Sequence, residues 1–310
     1  MLRTTTSDPA GTTGLDPCIF RIRELRSQGW TRSAIELAVR SGRLIRVRRG
    51  VFASADAPPE MAKAASLGGR LTCVSLLRLV GVFVLDDRRL HCHMFPNAAR
   101  LPRRGPQEVA HWRDLSGPAL GTHAVGLRDA ILQSVLCQSP RATIATLDSL
   151  LHLGLIDLEA LRDIFAELPA RCGVLLRLVD GRAESGPETL VRLILRGLDC
   201  SVELQVWIDD VGRVDFLVDG WLIIECDSRA HHGGWEQQVR DRERDLEAAA
   251  RGYVTVRVIA SDAFERQDWL RRQLQRVIAH RPSYSPRTTQ APHRRTGETR
   301  RIEARIRDVA

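Results

Sequence analysis

Apolar and polar positions alternate along this chain in three different rhythms. Residues 17–29 (PCIFRIRELRSQG) and 30–42 (WTRSAIELAVRSG) space their apolar side chains for two short amphipathic helices. Gly29 ends the first; Thr31 caps the second, Ile35, Ala38 and Val39 share its apolar face, and Gly42 stops it. Over 43–54 the period falls to two: Leu44, Arg46 and Arg48 alternate with Ile45, Val47 and Arg49, and Gly50 supplies a turn, which predicts a hairpin.

From 58 to 180 the pattern is mostly helical. PPEMAKAASLGG and LTCVSLLRLVGV form a helix pair, RLHCHMF is a short strand, and 96–106 is a Pro/Arg/Gly loop. Residues 124–137, 140–154 and 157–169 return to three- and four-residue spacing. After Ser185 comes a helix with Pro187 and Glu188 in its first turn, then strands at 202–208, 212–219 and 221–227. A charged helix at 234–252, a strand at 253–260 and a helix at 262–279 close the pattern.

These elements predict five segments. Residues 1–16 form a disordered N-terminus and 17–56 a winged helix-turn-helix, from the order helix, tight turn, helix, basic hairpin. Residues 57–184 form a mainly helical connector with no evident chemistry. Residues 185–280 form an α/β domain of order α-β-β-β-α-β, closed by a further helix, and 281–310 a disordered basic tail.

Composition narrows the function classes. The 310 residues are 44% hydrophobic and 27% charged, ordinary for a globular protein. No apolar run approaches the roughly 18–20 residues of a membrane span, and the N-terminus lacks a secretory h-region, so the expectation is a cytoplasmic protein without membrane contact. Seven cysteines stand singly without a CxxC pair, which argues for free thiols and against structural zinc. His91-Cys92-His93 then reads as an ordinary half-exposed strand. The net charge of +8 comes from 45 arginines and one lysine, Lys63. Nine arginines against two acids occupy 21–50, and eight against three occupy 281–310, a distribution that suits a polyanion such as DNA. Arg43, Arg46, Arg48 and Arg49 on the hairpin are the candidate phosphate contacts.

The stretch VGRVDFLVDGWLIIECDSRAHH holds the candidate chemistry. Asp215 sits inside one predicted strand, and Glu225 and Asp227 end the next. With a tight turn near Asp219-Gly220, Asp215 and Glu225 fall about 5 Å apart across the ladder. Glu225 and Asp227 share a face by the two-residue period. Glu188 could aim at the same place. Carboxylates so crowded repel unless a cation lies among them, and a few oxygen ligands with open positions suit Mg²⁺ or Mn²⁺.

Residues 185–279, on the motifs SGPETLVRLIL, GRVDFLVDGWLIIECDSRAHH and RDRERDLEAAARGYVTVRV, resemble the PD-(D/E)XK nuclease superfamily, in the branch similar to very-short-patch-repair (Vsr) endonucleases. Residues 17–54 resemble the N-terminal winged helix of AbiEi-type antitoxins. The first resemblance implies a restriction-endonuclease-like core that hydrolyses DNA. Asp215 and Glu225 would be its metal ligands, the Cys226 carbonyl a backbone ligand, and Glu188 the helical acid that helps hold the metal or its water. The lysine of the namesake motif is Asp227 here, and this half of the chain contains no lysine; Vsr-like members use histidine near the metal, which points to His231 or His232. His231 or Asp227 would orient the attacking water, and Arg240 or Arg244, four residues apart on the charged helix, would clamp phosphate. The second resemblance implies DNA and a cognate toxin as partners; a homodimer is compatible with both.

Two functions follow: a Mg²⁺-dependent endodeoxyribonuclease delivered by its winged helix for repair or defence, and a non-enzymatic antitoxin-like transcriptional regulator whose nuclease fold is degenerate. RNA as substrate stays open.

Overall fold

The structure, a computed structural model, describes residues 18–86, 88–95, 101–117, 123–227 and 235–280. The chain is a mixed α/β protein of small sheets and helices, divided into two compact units, Met1–Leu190 and Val191–Ala310. The expected disordered ends at 1–16 and 281–310 lie outside the described residues. Among the described residues, no helix is long and apolar enough to cross a membrane.

The first unit begins with β1 (Ile19–Arg21), α1 (Ile22–Ser27), α2 (Arg32–Arg40), β2 (Leu44–Arg48) and β3 (Val51–Ser54). The expected helix over 17–29 is corrected at its start. Ile19, Phe20 and Arg21 pair antiparallel with Ala53, Phe52 and Val51, so β1 completes a sheet of order β1-β3-β2. The open edge of β3 offers ladder bonds and burial that one extra helical turn would not, and tertiary pairing overrides the local pattern. α2 starts where its cap predicts: Thr31 Oγ1 accepts the Ala34 amide at 3.1 Å. Gly29, at φ +85°, reverses the chain between α1 and α2. The helices close over the sheet through Leu25, Ile35, Ala38, Leu44 and Phe52, with Phe20, Trp30 and Val39 against them. The hairpin matches the two-residue period up to a shift in register between Arg46 and Arg48.

The unit continues with α3 (Pro59–Ser66), β4 (Arg70–Leu71), α4 (Cys73–Leu79), β5 (Leu90–His93), β6 (Glu108–His111), α5 (Leu127–Cys137), α6 (Pro140–His152) and α7 (Leu158–Ala166), then a 3-10 turn at Ala170–Cys172 and α8 (Gly173–Leu176). The segment is thus not helices alone. A second three-stranded sheet, β4-β5-β6, runs through it, with β5 antiparallel to β4 and parallel to β6. The reading of His91-Cys92-His93 as half-exposed is also corrected: the three are 4%, 0% and 2% exposed, because β5 is the central strand of that sheet. All seven cysteines are free thiols.

Helix α9 (Gly186–Leu195) crosses the boundary between the units. The second unit then holds β7 (Val202–Ile208), β8 (Gly212–Val218), β9 (Leu222–Asp227), α10 (Trp235–Ala250), β10 (Val254–Ile259), α11 (Ala260–Glu265) and α12 (Gln267–Ala279). β7, β8 and β9 form an antiparallel meander. β10 returns after α10 to lie parallel to β9, giving the order β10-β9-β8-β7. The β8–β9 turn has positive φ at Asp219 and Gly220, +49° and +70°, the twist that a type I′ hairpin requires. Along β8 and β9, Phe216, Leu217, Val218, Leu222, Ile223 and Ile224 are all buried, so both faces of the central strands are covered. Leu217 and Ile223 pack with Val214, Tyr253 and, from α10, Ala248.

Candidate functional site

The register of β8 and β9 decides where the acids stand. Leu217 pairs with Ile223 and Phe216 with Ile224, and the next step along the ladder sets Asp215 opposite Glu225. Asp215 and Glu225 therefore extend the face of Leu217 and Ile223, the face that packs on α10 through Ala248. Arg244 lies one helical turn before Ala248 and reaches the same face. The hydrophobic layer ends and a polar one begins within a single strand period.

In that layer the groups hold one another. Asp215 Oδ2 accepts the Cys226 amide at 2.8 Å, and its Oδ1 is 3.5 Å from Gln205 Nε2. Arg244 Nη2 meets Glu225 Oε1 at 3.3 Å, while Arg244 also donates to the carbonyls of Val211 at 2.9 Å and Arg213 at 2.8 Å. Asp227 is the outer acid, 3.3 Å from Arg257, and Arg257 in turn pairs with Asp245 of α10 at 2.9 Å. The Asp245 partnership holds the Arg257 guanidinium above its already high ordinary range.

Glu225 bears the cost of this arrangement. Burial and then the like charge of Asp215 push its carboxyl up to about 7, against the opposing pull of Arg244 and Arg257. Its side chain is only 13% exposed. A carboxyl in this state would become fully ionised beside a divalent cation, so the donor set fits a hard ion bound through Asp215, Glu225 and the Cys226 carbonyl.

The structure brings together Asp215, Glu225, Cys226, Asp227 and Arg244. Glu188 belongs to the other compact unit. There it is 6% exposed, and its oxygens accept the Glu184 amide at 2.8 Å and the Ser185 hydroxyl at 2.7 Å, while Ser185 Oγ accepts the Glu188 amide at 3.3 Å. Ser185 thus caps α9, and the Glu188 carboxylate reaches back to the residue before it, a variant of the capping box that the S-x-x-E spelling of 185–188 suggests. His231 and His232 lie outside the described residues. Arg240 is on the exposed side of α10, 4.0 Å from Glu236. Sequence reasoning passed over Gln205, which faces Asp215 from β7 with a left-handed φ of +53°, a strain that no residue pattern reveals. It also passed over Arg257.

On the hairpin, Arg43 and Arg49 are exposed, and Arg46 lies over the Phe52 ring at 5.5 Å from its centroid. Arg48 and Arg49 join Arg21 in lining a cavity of about 210 Å³. Among the described residues, no ion pair engages Arg43, Arg46, Arg48 or Arg49; Glu36 feels the charge of Arg46, and the hairpin still presents a net positive charge.

Comparison with known proteins bears on these two places unequally. Two uncharacterised proteins of Mycobacterium tuberculosis, MT2308 of strain CDC 1551 and Rv2248 of strain H37Rv, are each 29% identical over 254 residues, covering 75% of this chain and 91% of the relative. The solved structure of the RV2827C protein from the same species aligns with 52% of this chain and 72% of its own, at 19% identity and a TM-score of 0.29. The family model described as the transcriptional regulator AbiEi antitoxin matches residues 19–55, the span of β1 to β3. Those residues form an AbiEi antitoxin-like transcriptional-regulator domain.

Proposed function

We propose that the protein is a DNA-binding regulator of the antitoxin type, docking on the duplex backbone through its N-terminal hairpin. One observation carries this reading: the AbiEi antitoxin-regulator match covers the hairpin whose Arg43, Arg46, Arg48 and Arg49 make no ion pair among the described residues. Phosphate contact from such arginines supplies affinity and register, and α2, the second helix of the pair, is the element that a helix-turn-helix lays in the major groove. A cognate toxin is the protein partner that this reading implies. The test is duplex binding by fluorescence anisotropy at several salt concentrations. Arg43→Ala/Arg49→Ala, two exposed positions, should flatten the slope of log K against log salt by about 1.8, or 0.9 for each lost phosphate contact. Unchanged affinity and slope would remove the hairpin from the interface.

A second reading is favoured by the paired carboxylates of the C-terminal unit: hydrolysis of DNA phosphodiesters by a restriction-endonuclease-like core. Asp215, Glu225 and the Cys226 carbonyl would hold Mg²⁺ or Mn²⁺, which when bound supplies an acidified water and charge against the phosphate. The rest falls to the chain. The Cys226 amide orients Asp215, and Arg244, anchored by two carbonyls, keeps Glu225 in place. Asp227, outermost of the three, is the base candidate on β9, with His231 the alternative. In a plasmid-nicking assay, wild type should cleave with Mg²⁺ and Asp215→Ala should lose that activity by at least about a hundredfold. Equal cleavage by both, or none by either, leaves the regulator reading alone.

A further inference from the structure

Two cysteines and two histidines, distant in sequence, converge in the first unit. Cys73 opens α4, His91 lies on β5, His111 ends β6 and Cys137 ends α5. β5 and β6 run parallel with His91 opposite Val109, so His111, two residues on, returns to the face of His91. One ligand atom from each of the four lies within 4.8 Å of every other. His91 Nδ1 is 3.1 Å from His111 Nε2, and Cys137 Sγ is 3.7 Å from the same His91 nitrogen.

We infer that Cys73, His91, His111 and Cys137 form a structural zinc site. A tetrahedral zinc with bonds of about 2.05 Å to nitrogen and 2.3 Å to sulfur sets its ligands about 3.4 Å apart for two nitrogens and 3.6 Å for nitrogen and sulfur. The separations of 3.1 Å and 3.7 Å fall within a few tenths of an ångström of those edges. Two thiols and two imidazoles make a closed S₂N₂ set, the combination and geometry that select zinc over magnesium or manganese and leave no open position for chemistry. Backbone strain marks the place as well: Cys73 has a left-handed φ of +53°, costly for a residue with a β-carbon and retained where the surroundings require it. Cys73 and His91 are buried, His111 is half-buried and Cys137 exposed, so the ion would enter from the Cys137 side.

The test uses the full chain, purified without chelator or reductant and incubated with Zn²⁺, its metal content measured after gel filtration. Wild type should retain about one zinc per chain, and Co²⁺ in its place should give the intense visible bands of a tetrahedral thiolate site. Cys137→Ala should retain at least about tenfold less zinc, and Cys137→His, which replaces one ligand by another, should recover it. Cys200→Ala should change nothing. The assignment is overturned by wild-type protein that holds neither ion, by full zinc retention in Cys137→Ala, or by a Cys73–Cys137 disulfide, shown by mass spectrometry, that persists in the presence of zinc.

Discussion

Glu225 shows at a single residue how the candidate carboxylate site is built. Its folded carboxyl titrates near 7, against an ordinary value of 4.5. Between those values the native state holds a proton that the unfolded chain has released, so the residue's contribution to stability declines as pH rises through that window and is constant above it. The full difference is on the order of 3 kcal/mol. Glu225→Gln should therefore gain stability relative to wild type at pH 8, by about 1–3 kcal/mol once the loss of the Arg244 pair is allowed for, and little at pH 4.5. Urea midpoints at the two pH values check this, and a difference that does not depend on pH would show that Glu225 is ionised throughout. The Asp215–Glu225 pair was legible because a short turn, here the three residues between the paired Val218 and Leu222, fixes which positions face across a hairpin. Gln205 was not, since its backbone conformation depends on the neighbouring strand.

Elements were legible in proportion to their length. β7 to β10 and α10 each present a long enough run to display a period, and Thr31 announces α2 by its chemistry. Thr31→Ala should lower stability by about 1 kcal/mol while Thr31→Ser stays near wild type, measured by thermal unfolding. Equal loss in both would mean that the hydroxyl bond to Ala34 contributes nothing. β4 has two residues and β1 three. Strands this short exist because a partner edge accepts them, and no pattern within them says so. The same limit hid β6, which lies just beyond the Pro/Arg/Gly stretch read as loop.

At the scale of the molecule, chemistry that sequence reading assigned to the second unit has a counterpart in the first. Cys73, His91, His111 and Cys137 sit on four separate elements, and metal sites are usually found from paired ligands close in sequence. Without such a pair, only the packing of α4 and α5 on the β5–β6 sheet discloses the group. If zinc ties those elements together, a chelator should lower one thermal transition and leave that of the C-terminal unit in place, as scanning calorimetry would show. A uniform shift of all unfolding would place the ion elsewhere.

The bond from the Cys226 amide to Asp215 has an evolutionary corollary. Every amino acid except proline brings that donor, so the aspartate's posture is indifferent to which side chain follows Glu225. Serine, alanine or valine at 226 would leave the anchor intact, and proline alone would cut it. Position 226 is thus free to drift in spelling while staying fixed in role, and relatives that differ there can share one arrangement of acids.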